Sequence, residues 1–224
     1  MSSEPSSEQP LEFQLYWSFR SPYSYLVLRR LIEFVEAHDV VCDVRPVYPI
    51  AVRTPEFFDK VNPLWPPYLL RDTTRIAEME GIPYHWPRPD PIVQDIATRT
   101  IAAEQPYIRR LTRLGIAACE RGRGLPFIDQ VSRTIWDGSV AGWNEGDHLA
   151  KAASAAGLDL AELDAAIEAE TERHEAAIEA NQDALEAAGH WGVPTMVFEG
   201  EPFFGQDRLD LLIWRMGQRG LRPR

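Results

Sequence analysis

The segment FQLYWSFRSPYS, residues 13–24, joins a strand pattern directly to the start of a helix. Aromatic and polar residues alternate over Phe13–Phe19, as expected for a β-strand. Ser21 is a favourable residue type for a helix N-cap, and Pro22 lacks the N–H that would have no partner in the first helical turn. The segment therefore predicts a strand that leads straight into a helix.

A connecting helix and a second strand follow. Leu28, Leu31, Ile32 and Val35 recur at helical spacing, which predicts a helix with one buried face. Residues 40–47, VVCDVRPV, alternate again and predict a second strand. Together the three elements form a βαβ unit with parallel strands, whose crossover is right-handed in nearly all proteins.

Strand character returns only near the end of the chain. The pattern predicts a hairpin formed by Thr195–Phe198 and Phe203–Phe204, followed by a last helix. Between the two strand regions, helical periodicity predicts helices over residues 68–80, 92–104, 108–121, 127–136 and 160–187. The order βαβ, helical block, ββα predicts an α/β fold of the thioredoxin type, in which an all-helical insertion interrupts a four-stranded sheet.

The same pattern predicts the domain organisation. Residues 1–12 are rich in Ser, Glu and Pro and are predicted to be a disordered lead. Residues 13–70 and 188–224 are predicted to form the thioredoxin-like domain, and residues 71–187 the helical insertion domain. The lead has neither the basic nor the apolar region of a secretory signal, and no apolar run is long enough to cross a membrane. The cytoplasm is the expected location.

Charge narrows the class of partner. The formal net charge is -11, whereas nucleic acids and anionic membranes attract positively charged surfaces. Neither a nucleic acid nor an anionic membrane is therefore an expected partner, and we expect a small molecule instead.

Two serines occupy the position at which thioredoxin-type proteins carry their redox cysteines. Ser21 and Ser24 stand three residues apart at the strand-to-helix junction, and the cysteines, Cys42 and Cys119, form no CxxC pair. A serine pair cannot exchange disulfides. A hydroxyl at a helix N-terminus can nevertheless donate a hydrogen bond to a thiolate that another molecule supplies. The alternative is that Ser21 only caps the helix.

Two segments near the C-terminus are candidates for ligand contacts. Pro194 stands at the entry to a predicted strand, where a cis bond would turn the backbone of Val193 outward to grip a peptide-like ligand. The alternative is an ordinary trans proline. Gln206 and Asp207 precede the last helix and could bind a carboxylate and an ammonium group, unless Asp207 is simply the helix cap.

The chain resembles the 2-hydroxychromene-2-carboxylate isomerase family, relatives of the kappa-class glutathione transferases and of DsbA. The resemblance lies in WSFRSPYSYLVLRRL, YLLRDTTRIAEMEGIPYHWP and WGVPTMVFEGEPFFGQDRLDLL and covers nearly the whole chain. It implies glutathione as cofactor and a homodimer. It also implies that Ser21 holds the glutathione sulfur, that Val193 and Pro194 pair with the cysteinyl backbone, and that Gln206 and Asp207 bind the γ-glutamyl end.

The substrate side departs from the family pattern. Members typically carry a glycine-rich, Asn-containing stretch with a lysine after the second strand, and only Asn62 matches it, loosely. Trp65 and Trp86 are the preferred candidates for the wall of an aromatic-substrate pocket. Arg53 and Arg71 are candidates for the substrate carboxylate on the basis of charge alone.

No metal site is expected from the five histidines. Glu170 and His174 share a helix face, but without a further ligand they are interpreted as a solvated pair.

Three functions follow from these observations. The leading hypothesis is a glutathione-dependent cis–trans isomerase of an aromatic, conjugated α-keto acid, which works by reversible thiolate addition. The first alternative is a kappa-like transferase that stops at the adduct. The second is a redox-inactive thioredoxin-fold module that binds a peptide without chemistry.

Overall fold

The computed structural model describes residues 9–95, 98 and 100–224. The strands are β1 (Leu11–Trp17), β2 (Val40–Pro46), β3 (Gln94–Asp95), β4 (Thr100–Ile101), β5 (Thr195–Phe198) and β6 (Glu201–Phe204). The helices are α1 (Pro22–Ala37), α2 (Ile50–Arg53), α3 (Phe57–Lys60), α4 (Trp65–Glu80), α5 (Pro106–Glu120), α6 (Gly124–Trp136), α7 (His148–Ala155), α8 (Leu160–Ala169), α9 (Thr171–Ala187) and α10 (Leu209–Gly217). A 3₁₀ turn, Gln206–Arg208, precedes α10.

The main sheet has four strands in the order β2-β1-β5-β6. β1 and β2 run parallel, from Leu11 opposite Val40 to Trp17 opposite Pro46. β5 is antiparallel to both β1 and β6. The helical region lies between β2 and β5 along the chain, so the prediction of a thioredoxin-type α/β fold with a helical insertion is confirmed.

β1 is an inner strand, and its burial explains the apolar side chains of residues 13–17. Phe13, Leu15 and Trp17 are fully buried, and Tyr16, which points to the opposite face, is only 2% exposed. A strand covered on both faces carries apolar side chains in both directions. Its burial fixes the position of the residues that follow it, Ser18–Ser21.

Two predicted boundaries differ from the structure. Leu11 and Glu12 belong to β1, where they lie opposite Val40 and Val41, so the disordered lead does not extend to residue 12. Residues 1–8 lie outside the described part of the chain. The boundary placed after residue 70 falls inside α4, which continues without a break to Glu80.

The helix predicted over residues 92–104 is wrong. Part of this segment forms the short β3–β4 hairpin, and residues 96, 97 and 99 lie outside the described residues. The Gln105 side chain closes the hairpin, because it accepts from Val93 N at 2.8 Å and donates to Val93 O and Ala102 O at 2.8 Å each. These bonds satisfy backbone groups that a helix would have paired internally.

The long helix predicted over residues 160–187 is divided. α8 ends at Ala169, and Glu170, with φ -127° and ψ 40°, leaves the helical conformation before α9 begins. The break lets both helices pack against α5. A further helix, α7, was not predicted because its eight residues are too short for a clear periodicity.

A stack of aromatic rings joins the sheet domain to the helical region. The Trp136 ring lies parallel to Tyr25 at 6.2 Å and to Tyr84 at 5.8 Å, and the edge of Trp86 meets it at 5.5 Å. Its indole N–H donates to Phe19 O at 2.9 Å. Through this hydrogen bond, the stack supports the segment between β1 and α1 that carries Ser21.

α4 runs beside α1 in the same direction. The Tyr23 hydroxyl donates to Asp72 at 2.8 Å, and further along Arg29 pairs with Glu80. Trp65 lies seven residues before Asp72, which is about 10 Å at a helix rise of 1.5 Å per residue. The first turns of α4 therefore extend beyond the N-terminus of α1.

Within the described residues, we find no helix with the length and apolar character needed to cross a membrane.

Candidate ligand-binding site at the N-terminus of α1

Ser21 is the N-cap of α1 and also contacts the loop that precedes β5. Its backbone is extended, with φ -91° and ψ 115°, and its Oγ accepts from Ser24 N at 3.2 Å. The same hydroxyl donates to Val193 O at 3.2 Å. Capping is therefore only part of its role, because the structure brings Ser21 and the Pro194 loop into direct contact.

The Val193–Pro194 peptide bond is cis. The carbonyl groups of the loop are all engaged, each with a different partner. Trp191 O accepts from Arg53, Gly192 O from Thr195 Oγ1, Val193 O from Ser21 and Pro194 O from Gly205 N. The Val193 N–H, in contrast, has no partner among the described residues. The loop thus leaves one backbone donor available beside Ser21.

An aromatic cluster covers the outer side of this loop. It contains Phe57, His190, Trp191 and Phe204. His190 stacks on Phe204 with the ring centroids 3.9 Å apart, and Phe57 lies 5.1 Å from Trp191. Trp191 and Phe204 remain 45% and 41% exposed, so the cluster offers an apolar surface next to Pro194.

His190 holds the loop as well as the cluster. Its Nδ1 accepts from Gly192 N at 2.9 Å, which requires a ring nitrogen without a proton. Burial against the neighbouring rings lowers the pKa of His190 and so favours this neutral form. Sequence reasoning missed His190 because a lone histidine before a Trp-Gly pair carries no signal of its own.

Gly192 is required by the close approach of Phe204. A Cβ at this position would lie 2.5 Å from Phe204 Cε2 and 3.1 Å from His190 Cε1. We expect Gly192→Ala to destabilise the protein by about 1–3 kcal/mol in urea unfolding, since the stacked rings must move. Gly217→Ala is the control, because a Cβ there meets no atom within 4 Å. Equal stability of the two variants would contradict this packing.

Gln206 and Asp207 lie at the end of β6, next to the loop. Gly205 N donates to Pro194 O at 2.9 Å, so the residues that follow Gly205 lie close to Pro194. Asp207 does not cap the last helix. Its carboxylate accepts from Arg208 at 2.7 Å instead, and it remains exposed.

The beginning of α4, which extends beyond the N-terminus of α1, forms a second apolar surface. Leu64 is 75% exposed and Tyr68 56%, and Trp65 is exposed as well. Asn62 accepts from Leu64 N at 3.0 Å and thereby shapes the turn before the helix. Arg71 is exposed on the same helix, one residue before Asp72.

Trp86 is more enclosed than the sequence suggested. Arg20 covers one face of its ring, with the guanidinium carbon 4.5 Å from the ring centre, and Trp136 meets the ring in a T-shaped contact at 5.5 Å. Arg20 in turn makes a bidentate ion pair with Asp90, at 3.0 and 2.8 Å. The Trp86 ring therefore serves mainly to fasten the residue before Ser21, and only its remaining surface can contact a ligand.

Arg53 holds the loop that precedes β5. Its Nε donates to Tyr48 O at 2.8 Å and its Nη2 to Trp191 O at 2.6 Å, and burial lowers its pKa. These bonds give Arg53 a structural role, and its contact with a substrate carboxylate stays a prediction. The charge of Arg53 alone could not predict these two hydrogen bonds, because both acceptors are backbone groups of other residues.

Glu170 and His174 do not form the solvated pair that the sequence suggested. His174 is fully buried, and its Nδ1 lies 2.8 Å from the backbone oxygen of Glu170. The Glu170 carboxylate pairs with Arg173 instead. No group of three or more His, Cys, Asp or Glu side chains within the described part of the chain is arranged to hold a metal ion.

The family model of the DsbA-like thioredoxin domain matches residues 13–216. No curated protein matches the chain. Among solved structures, a 2-hydroxychromene-2-carboxylate isomerase has 24% sequence identity and a TM-score of 0.66 and covers 93% of this chain and 95% of its own.

Two other solved structures show the same fold. A probable DsbA oxidoreductase from Streptomyces coelicolor has 18% identity and a TM-score of 0.64, with 93% of this chain and 89% of its own covered. The cytosolic disulfide reductase DsbM from Pseudomonas aeruginosa, solved with GSH, has 15% identity and a TM-score of 0.57 and covers 93% and 100%. At these identities the similarity shows a common fold.

Proposed function

Because the chain belongs to the DsbA-like thioredoxin family, which includes isomerases and disulfide oxidoreductases, we propose that it is a glutathione-dependent cis–trans isomerase of an aromatic, conjugated α-keto acid. One observation carries the proposal. The hydroxyl of Ser21 lies at the helix N-terminus against Val193, and neither Ser21 nor Ser24 offers a sulfur. The reacting thiol must then come from a ligand.

The residues at the site fit glutathione. The N–H of Val193, which has no partner among the described residues, can donate to the cysteinyl carbonyl. Gln206 and Asp207 follow Gly205, whose N–H donates to Pro194 O, and they are proposed to bind the γ-glutamyl end. The fold is shared with a 2-hydroxychromene-2-carboxylate isomerase and with a disulfide reductase solved with GSH, and this similarity also supports glutathione as the cofactor. Asn62 is proposed as a further contact, on the family resemblance.

When bound, glutathione supplies a thiolate that adds reversibly to the alkene, so that the bond between the two carbons can rotate before the thiolate leaves. Ser21 and the first turn of α1 are proposed to stabilise negative charge at the sulfur, because the hydroxyl can turn from Val193 O to a thiolate and the N-terminus of a helix carries positive partial charge. The cluster around Trp191 and the surface around Trp65 are proposed to hold the aromatic part of the substrate and exclude water. Arg71 is the proposed contact of its carboxylate, and Trp86 offers a smaller contact.

Titration calorimetry and an isomerisation assay test the proposal. We expect glutathione to bind, and Ser21→Ala to lower the isomerisation rate of a hydroxybenzylidenepyruvate by about 10- to 100-fold, since a hydrogen bond to a charged group is worth about 1.5–3 kcal/mol. The matched control is Ser154→Ala, on the exposed side of α7. It should behave as the natural protein does.

The alternatives give different results in the same experiments. A stable conjugate of glutathione and substrate, detected by mass spectrometry, would indicate a kappa-like transferase. Binding of glutathione without isomerisation or conjugation would leave a peptide-binding module, which the available Val193 N–H also suits. No binding at millimolar glutathione, with Ser21→Ala also without effect, would refute both enzymatic functions.

We also propose that the protein is cytoplasmic and forms a homodimer. The cytoplasm keeps glutathione reduced, as this chemistry requires. The exposed side chains of Leu211 and Trp214 on α10 form an apolar surface that a second subunit could cover. Sedimentation equilibrium tests the assembly. A small aromatic substrate, rather than a nucleic acid or a membrane, remains the proposed partner.

A further inference from the structure

We propose that the guanidinium of Arg20 is the main contact for the carboxylate of the substrate, so that the site takes conjugated keto acids in preference to neutral ketones. Arg20 is the residue immediately before Ser21, where the chain enters α1. The inference rests on the proposed function, because it concerns the substrate of that reaction.

The Arg20 side chain is held in one orientation by two partners. Its Nε and Nη2 donate to the two carboxylate oxygens of Asp90 at 3.0 and 2.8 Å, and the guanidinium carbon lies 4.5 Å from the centre of the Trp86 ring. A guanidinium that is fixed in advance loses little conformational freedom when an anion binds. Arg71, the other arginine proposed for this carboxylate, has an exposed side chain on α4 instead.

The Arg20 guanidinium keeps donors for a second anion. A guanidinium has five N–H groups, and Asp90 accepts from one on Nε and one on Nη2. Nη1 has no hydrogen-bond partner among the described residues. The side chain is 19% exposed, which leaves part of it accessible to a ligand. A carboxylate can therefore accept two parallel hydrogen bonds at the edge formed by Nη1 and Nη2.

The charge of Asp90 does not remove the attraction of Arg20 for a second carboxylate, because other donors share it. Asp90 also accepts from Trp86 Nε1 at 3.3 Å, from Gln94 Nε2 at 3.1 Å and from Ile92 N at 3.1 Å. These donors stabilise the Asp90 carboxylate where it lies. A substrate carboxylate thus meets a cation whose partner is itself well satisfied.

The position of Arg20 in the chain suits the distance within the substrate. Ser21 contacts Val193 O, whereas the side chain of Arg20 reaches residues 86–90, so the two neighbours contact different segments. Their Cα atoms are about 3.8 Å apart, as in any trans peptide. In benzylidenepyruvate, three bonds separate the carbon that receives the thiolate from the carboxylate carbon. An arginine next to the proposed sulfur position is therefore within the span of such a substrate.

Calorimetry with benzylpyruvate and benzylacetone tests this assignment without any reaction. Both compounds are saturated and cannot isomerise, and benzylacetone carries a methyl group where benzylpyruvate carries the carboxylate. We expect the natural protein to bind benzylpyruvate at least about tenfold more tightly than benzylacetone, because the carboxylate gains charge-assisted hydrogen bonds. Arg20→Gln should abolish this difference by weakening the binding of benzylpyruvate alone.

Two further variants separate binding from folding. Arg20→Gln leaves the Asp90 carboxylate without its cation, whereas Arg20→Gln combined with Asp90→Asn removes both charges. Both should lose benzylpyruvate binding equally, and thermal unfolding verifies that each is folded. Arg29→Gln is the matched control, because Arg29 also pairs with a carboxylate, that of Glu80, but lies about two helical turns from Ser21. It should bind both compounds as the natural protein does.

An isomerisation assay measures the consequence for the proposed reaction. Arg20→Gln should lower kcat/KM for benzylidenepyruvate by about 10- to 100-fold, and its affinity for glutathione should not change.

The same measurements can overturn the assignment. Equal weakening of benzylpyruvate and benzylacetone by Arg20→Gln would mean that Arg20 only supports the loop before α1. Loss of benzylpyruvate binding in Arg71→Gln but not in Arg20→Gln would place the carboxylate at α4. Weaker binding of glutathione by Arg20→Gln, with benzylpyruvate unaffected, would assign Arg20 to the cofactor, and no binding of benzylpyruvate at millimolar concentration would also refute the proposal. Selective binding of benzylpyruvate without isomerisation of benzylidenepyruvate would refute the proposed reaction alone.

Discussion

Replacing both Ser21 and Ser24 with cysteine is expected to give the protein a disulfide-exchange activity that the natural chain lacks. Ser21 sits at the helix N-cap, where its Oγ accepts from Ser24 N at 3.2 Å, and a thiolate there would receive the same N–H. Thiols in such positions have pKa values of about 3.5–7.5 instead of about 8.5. The second position lies one helical turn away, within reach of a disulfide.

Alkylation with iodoacetamide at pH 6.5 and reduction of insulin by dithiothreitol measure the two consequences. Ser21→Cys should be alkylated rapidly, and only the double variant should reduce insulin. The natural protein should be alkylated only slowly, because burial raises the pKa of Cys119 to about 12 and that of Cys42 well above its usual range. At pH 6.5 few of these thiols are then in the reactive thiolate form.

Ser24→Cys alone is the matched control for the reactive position. Ser24 is fully buried, and its hydroxyl has no hydrogen-bond partner among the described residues. A thiol there should react slowly with iodoacetamide. If the thiol at position 21 titrated near pH 8.5, the N-terminus of α1 would not stabilise a negative charge, and the role proposed for Ser21 at the glutathione sulfur would lose its physical basis.

The sequence predicted the strand, the helix start and the hairpin because each has its own local signal. Alternation predicts β1, strand-type residues followed by a turn predict β5, and Ser21 followed by Pro22 predicts the start of α1. Their contact across the loop could be expected from the order of elements, since β1 and β5 are neighbours in a sheet of this type. The hydrogen bond from Ser21 to Val193 is the local result of that order.

The remainder of the site depends on contacts between segments that are far apart in the sequence. Arg53 and Trp86 have the residue types of a substrate pocket, but their partners, Trp191 O and the Arg20 guanidinium, turn them into supports. The wrong helix over residues 92–104 has the same origin, because Gln105 pairs with the backbone of Val93. Periodicity and charge are local properties of the sequence. They cannot predict which distant backbone group a side chain will bind.

Raising the pH from 8 to 10.5 is expected to reduce the free energy of unfolding by several kcal/mol, mainly through the thiols of Cys42 and Cys119, which pack against the core. Cys119 donates to Val44 O at 3.2 Å, and burial raises its pKa to about 12 and that of Cys42 also. In the unfolded chain these thiols ionise near pH 9, whereas in the folded protein they stay neutral. Stability is therefore intact below about pH 9 and falls as the pH rises toward 12, by about 2 kcal/mol per thiol at pH 10.5.

Urea unfolding of the natural protein, Cys119→Ser and Cys42→Ser at both pH values, with a phosphine reductant present, separates this effect from other causes. Serine does not ionise in this range, so each substitution should cost about 2 kcal/mol less at pH 10.5 than at pH 8. A variant in which serine replaces both Cys42 and Cys119 should still lose some stability at pH 10.5, because burial also raises the pKa values of Tyr25 and Tyr48.

A cost for Cys119→Ser that is the same at both pH values would mean that the thiol ionises as readily in the folded protein as in the unfolded chain. That result would also alter the expectation for Ser21→Cys, because Cys119 would then compete for iodoacetamide. If Cys119 behaves as expected, the natural thiols of the chain are protected by burial, whereas the helix N-terminus at Ser21 is the place where a thiolate is stabilised. The protein would then have the environment for a reactive sulfur at the position where it carries none of its own.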